Sequence, residues 1–192
     1  IIKELKSDPY ALETVHISII AFAGQAMTLV PLTDIINFYP PKFPIGGGTS
    51  LGTGLGQLMF DMRKNIVETT ADQKGDWKPI IFLFTDGVPT DDIRPAFSEW
   101  KQNWQKQTNL VVVSFGESTD LHLLKELTDN VLLFKNTTAQ SYKEFFRWVT
   151  ASIKTSSISV DSSGSGFELA KMNEVVLGKI DLSKNPSKPN LI

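Results

Sequence analysis

Apolar residues along the chain keep two different rhythms, and their alternation predicts the elements. Short runs dense in β-branched and aromatic residues read as strands: TVHISIIAF (14–22), QAMTLVPL (25–32), KPIIFLFT (78–85), NLVVVSFG (109–116) and NVLLF (130–134). The second run follows Ala23-Gly24 and reads as the antiparallel partner of the first, ended at an edge by Pro31. KPIIFLFT is apolar throughout and stops at Asp86-Gly87, the pattern of a central parallel strand covered on both faces. Between these runs the period lengthens to that of a helix. Leu51, Leu55, Leu58, Met59, Met62 and Ile66 line one face from Thr49 to about Val67. Ile93, Phe97, Trp100 and Trp104 mark a second helix, and Leu121, Leu124 and Leu127 a short third within 119–129. Tyr142, Phe145, Phe146, Val149 and Ile153 mark the last, over 141–153. At the start, Ile1, Ile2 and Leu5 followed by Ser7-Asp8-Pro9 read as the last turns of a helix stopped before a proline. The chain is therefore expected to begin inside an element.

Strands alternating with helices imply an α/β fold: three layers, doubly wound, a mostly parallel sheet with one antiparallel edge strand. After Lys154 the texture changes to TSSISVDSSGSG and then to the polar LSKNPSKPNLI. Residues 1–155 are expected to form one domain. Residues 156–192 read as a Ser/Gly/Pro-rich extension with one short apolar segment near EVVLGKI.

Composition removes several function classes. There is no cysteine, which excludes a disulfide scaffold, a thiolate zinc site and a cysteine nucleophile, and fits a reducing cytosol. Nineteen basic and 21 acidic residues give a net charge of −2, a balance that predicts neither nucleic-acid nor anionic-membrane binding. The longest apolar runs, such as IIFLF (80–84), fall far short of the roughly 20 residues a bilayer requires. No signal segment is evident, and a cytoplasmic location is expected.

Candidate chemistry centres on FPIGGGTSLGTGL (43–55), where Gly46, Gly47 and Gly48 leave backbone open to close approach. The loop delivers Thr49 to the start of a helix, and Asp86 ends the most apolar strand. In open parallel sheets ligands bind beyond the C-terminal strand ends. A hydroxyl and a carboxylate converging there are hard oxygen donors, suited to Mg²⁺ or Mn²⁺ with several waters kept. A phosphate loop fits less well. Gly47 and Gly52 have the P-loop gap, but Thr53 stands where the lysine belongs, and GTGLG is one residue short of G-x-G-x-x-G. The helix start could still favour an anion, so the alternatives are a nucleotide- or metal-dependent transferase or hydrolase using the GGGTSLG loop, or a structural domain with a non-functional metal site. Against catalysis, there is no G-x-S-x-G elbow and no histidine near either motif, and Asp91 is the one spare carboxylate nearby.

Each residue also has a plain reading. Thr49 alone is an N-cap, Asp86-Gly87 alone a turn, and Asp91 and Asp92 helix-start residues. His16 and His122 read as structural or surface residues, and Trp100 and Trp104 as core. NTT (136–138) matches a glycosylation acceptor without a secretory signal.

GGGTSLG around Thr49 and FTDGVPTD around Asp86 resemble two parts of the metal-ion-dependent adhesion site of von Willebrand factor A-type domains, in order and in context. SDPYALETVHISIIAF, PLTDI, GGGTSLGTGL and QKGDWKPIIFLFTDGVPTD together look like the bacterial tellurium-resistance TerY-type branch, over about residues 1–155. The resemblance implies a non-catalytic interaction module in which a divalent ion accepts an Asp or Glu from a protein partner. It also implies a link to tellurite and stress resistance and to kinase- and phosphatase-type partners. The family's third ligand element, an Asp-x-Ser-x-Ser loop after a first strand, belongs ahead of residue 1, so the domain is expected to be N-terminally incomplete. DSSGS, with Asp161, Ser163 and Ser165, repeats that spacing. It reads either as a displaced metal loop or as a chance match in a Ser/Gly tract.

Overall fold

The structure is a computed structural model that describes residues 2–115, 119–134, 138–163, 167, 169–171 and 177–179. It opens with two short helices, α1 (Ile2–Leu5) and α2 (Pro9–Thr14). Asp8 caps the second by accepting the Ala11 N–H. Pro9 thus begins a helix as well as following one, because its missing N–H costs nothing in a first turn. Strands β1 (His16–Phe22) and β2 (Ala26–Asp34) pair antiparallel across the turn at Ala23-Gly24. β2 runs past Pro31, which had been expected to end it. Register shifts between Ile17 and Ile19 and between Ile19 and Ile20 relax the ladder at that point, and such irregularities are where strands accommodate proline.

The remaining elements follow the predicted alternation: α3 (Leu51–Asn65), β3 (Ile80–Thr85), α4 (Arg94–Glu99) continued by a π-helical turn Trp100–Trp104, β4 (Asn109–Phe115), α5 (Leu121–Lys125), β5 (Val131–Phe134), α6 (Ala139–Ser163) and β6 (Leu177–Lys179). The main sheet has the order β3-β4-β5-β6, with β3, β4 and β5 parallel and β6 antiparallel to β5. The fold is α/β with a parallel sheet and an antiparallel pair beside it.

Helices cover both faces. On one, Leu51, Leu55, Met59 and Met62 of α3 pack with Phe97, Trp100 and Trp104 against Leu110, Val112 and Val131, and Phe22, Ile81 and Leu83 join them. On the other, Phe145, Trp148 and Val149 of α6 pack on Val111, Val113, Leu132 and Phe134. A third group holds Leu5, Ala11, Ile35 and Phe38 against Ile17 and Ile19. Ile153 of α6 touches both of these last two groups. The β1–β2 hairpin therefore shares its helical layers with the main sheet, although no strand ladder joins β1 to β3 among the described residues.

Two differences from the sequence reading have clear causes. Among the described residues β3, read as a central strand, pairs with β4 alone, and Phe84 is 40% exposed. The fully buried centre is β4, through Val111, Val112 and Val113. An apolar run reports that both faces are covered, not that both edges are paired. The second difference is α6, which continues through TSSISVDSS to Ser163, where an extension of little structure had been expected. At the start of that continuation Ser156 is buried, following buried Ser152, which accepts the Ala170 N–H. Packing overrides the weak helix propensity of serine and threonine. β6 falls inside the apolar segment EVVLGKI.

Candidate metal centre

The glycine loop is packed against protein on two sides. A Cβ on Gly46 would meet the Ala23 Cβ at 3.0 Å, and one on Gly24 would meet the Gly47 carbonyl at 3.2 Å. Gly48 has φ +89°, and a Cβ there would sit 3.3 Å from Thr90 Oγ1. The loop is thus wedged between the β1–β2 turn and the segment after β3. Ser50 N–H donating to the Ala23 carbonyl at 2.7 Å fixes the first contact.

The second contact positions Thr49. Its N–H donates to Thr90 Oγ1 at 3.0 Å, and its carbonyl accepts the Thr90 N–H at 2.9 Å. Its side chain turns toward the end of β3: a Cβ on Gly87 would meet Thr49 Oγ1 at 2.9 Å. The structure therefore brings the Thr49 hydroxyl against the Asp86-Gly87 turn. Asp86 is exposed and Thr49 half-buried. Among the described residues, neither the Asp86 carboxylate nor the Thr49 hydroxyl has a hydrogen-bond or ion-pair partner.

Asp91 and Asp92 do different work. Asp92 accepts the Arg94 N–H and pairs with the Arg94 guanidinium at 2.8 Å, a helix-start role for α4. Asp91 reaches α3 instead. Its carboxylate accepts the N–H groups of Gly52 at 3.2 Å and Thr53 at 2.8 Å, and the Thr53 hydroxyl at 2.9 Å. Ser50, at the N-cap position of α3, makes no capping bond with its side chain, so Asp91 caps the helix from across the site. Burial pushes the Asp91 carboxyl up, but the Thr53 and Gly52 N–H bonds outweigh it and hold the group below the usual carboxylate range. The sequence reading placed Asp91 at its own helix. A legible signal was that α3 has no acidic residue in its first turn.

The other candidates stand apart. His16 and His122 are exposed, on β1 and α5. Trp100 and Trp104 are buried, with Trp100 Nε1 donating to the Leu127 carbonyl. Asp161 and Ser163 fall within α6, while Ser165 lies outside the described residues, as do Asn136 and Thr137 of the glycosylation pattern. No group of three or more Asp, Glu or His able to hold a metal occurs among the described residues. A partnerless carboxylate and hydroxyl fit part of a hard-ion shell, the rest of which water and further oxygens must fill.

Residues 1–148 match the family model described as the von Willebrand factor type A domain. The chain belongs to this family. No match was found among curated proteins. Solved von Willebrand A-like structures are similar at low identity. One is proximal thread matrix protein 1 from the mussel byssus, at 20% identity and TM-score 0.48, covering 70% of this chain and 36% of that one. The same protein with a zinc-occupied MIDAS motif gives 20% identity and TM-score 0.42, covering 60% and 29%. The ArnB paralog VWA2 from Sulfolobus acidocaldarius gives 18% and 0.42, covering 67% and 34%. The chain spans about a third of the length of these neighbours. No described helix is long and apolar enough to cross a membrane.

Proposed function

We propose that the chain is a non-catalytic interaction module whose divalent-metal site is built on Thr49 Oγ1 and the Asp86 carboxylate. The observation that carries this reading is the pair of partnerless oxygens brought to one sheet end, beside a glycine at which a side chain has no room. Bound there, Mg²⁺ or Mn²⁺ supplies a positive, incompletely filled shell that a partner's Asp or Glu completes. Thr49 and Asp86 orient the ion, and Thr90 holds Thr49 through its backbone.

Two ligands are too few for tight binding, and the family resemblance assigns the others to an Asp-x-Ser-x-Ser loop after a first strand. The unpaired edges of β1 and β3, lying under shared helices, support a further strand between them as the carrier of that loop. Within this reading the protein acts in the cytoplasm as a TerY-like member, linked to tellurite or stress resistance and to kinase- or phosphatase-type partners.

The test is a melting series on the full-length protein in Mg²⁺ and Mn²⁺. A metal bound only by the folded state stabilises it by about 2.7 kcal/mol at a hundred times Kd, so Tm rises with metal concentration. Absence of any shift at millimolar metal would remove the site.

A further inference from the structure

We propose that Thr90 and Asp91 are positioning residues for the metal centre, acting on Thr49 without touching the ion. The inference rests on the metal reading above and concerns side chains that reading leaves unused.

The geometry is a double clamp. Thr90 exchanges both backbone-directed hydrogen bonds with Thr49, one through its hydroxyl and one through its N–H. Three residues further along the helix start, the Asp91 carboxylate takes the Gly52 and Thr53 N–H groups and the Thr53 hydroxyl. The fit at Gly52 is close: a Cβ there would meet the Asp92 carbonyl at 2.9 Å and Asp91 Oδ2 at 3.1 Å. The segment 86–92 thus presents Asp86 at one end and with the other holds Thr49 on one side of Ser50-Leu51 and Gly52 and Thr53 on the other. Both Asp91 oxygens bond α3, through three hydrogen bonds in all, which ties its carboxylate to the helix start. A ligand constellation works only when its supports lock it. Here the support joins the two ligand-bearing loops directly, so loosening it misplaces the Thr49 hydroxyl relative to Asp86.

Two readouts on the full-length protein test this: amide exchange at Gly52 and Thr53 without metal, and Mn²⁺ affinity by calorimetry. Asp91→Ala is expected to speed exchange at both amides and weaken Mn²⁺ about tenfold, while Asp91→Asn, whose one acceptor oxygen can keep the Thr53 bonds but sets an NH2 against the Gly52 N–H, speeds exchange at Gly52 and weakens Mn²⁺ less. Thr90→Val, which removes only the acceptor of the Thr49 N–H, is expected to weaken Mn²⁺ in the same way, and carries the test if Asp91→Ala does not fold. Mn²⁺ affinity lost in Asp91→Asn while exchange at Gly52 and Thr53 stays at the wild-type rate would mean that the charge acts on the ion directly, which overturns the proposal. Freed amides with unchanged Mn²⁺ affinity would overturn it too, leaving a junction of stability alone. Wild-type protein that binds no Mn²⁺ sinks the metal reading itself, a result distinct from either.

Discussion

The Thr49 hydroxyl lies 2.9 Å from the point a Cβ on Gly87 would occupy, so the loop before α3 and the turn after β3 meet with no room for one methyl group. Gly87→Ala is therefore expected to destabilise the fold by about 1–3 kcal/mol, the cost of forcing a methyl into a filled site. Urea denaturation measures it, and wild-type stability in the variant would mean the loops are further apart.

Two glycines of α3 should respond in opposite directions. Gly56 sits in the interior of the 15-residue helix, where alanine is favoured by about 1 kcal/mol on propensity alone, and Gly52 in its first turn. At Gly56 a Cβ meets nothing within 4 Å, so Gly56→Ala is expected to stabilise by about that amount. At Gly52 the Asp92 carbonyl stands 2.9 Å away in backbone that cannot swing aside, so Gly52→Ala is expected to destabilise. Thermal melts of the two variants decide it.

Periodicity made most of this fold legible. The face of α3 through Leu51, Leu55, Met59 and Met62 was visible because helical burial repeats along the chain itself, and all four residues are core. The one-sided pairing of β3 among the described residues was not visible, because strand neighbours are set by residues distant in sequence. The length of α6 was hidden for a related reason: Ser156 reads as a linker residue until a packed layer is known to cover it. At the site, Thr49 and Asp86 stood out by motif. Asp91's reach to Gly52 and Thr53 did not, since no local pattern records a cap supplied from 38 residues away.

Acid should weaken the fold through identifiable carboxylates. The Ala11 N–H and then Lys154 hold Asp8 below the usual range, the Asn37 side chain does so for Asp34, and Arg94 does so for Asp92. Asp91 is held low by the α3 amides despite burial. Native values depressed below the unfolded value of about 3.9 mean that this stability is present above that pH and is lost as pH falls through the native values. Tm is expected to stay level from about pH 7 to 5 and to drop below about pH 4. Asp91→Asn should blunt the drop. A level Tm down to about pH 3 would contradict these roles.

Among the described residues β3 pairs on one side only, which predicts self-association wherever no further strand covers its other edge. Ile80–Thr85 offers an unpaired row of backbone groups beside Phe84, and no charged side chain guards the strand. Sedimentation is expected to show concentration-dependent association that Phe84→Lys reduces. Equal association in both forms would place the contact elsewhere.

The central claim is that Thr49 and Asp86 share one cation, and Mn²⁺ titration of the full-length protein followed by electron paramagnetic resonance tests it most directly. The free-ion signal is expected to be depleted by wild-type protein and restored by Thr49→Ala and by Asp86→Ala, each with about a tenfold or greater loss of affinity. Binding that survives both substitutions unchanged would contradict the account.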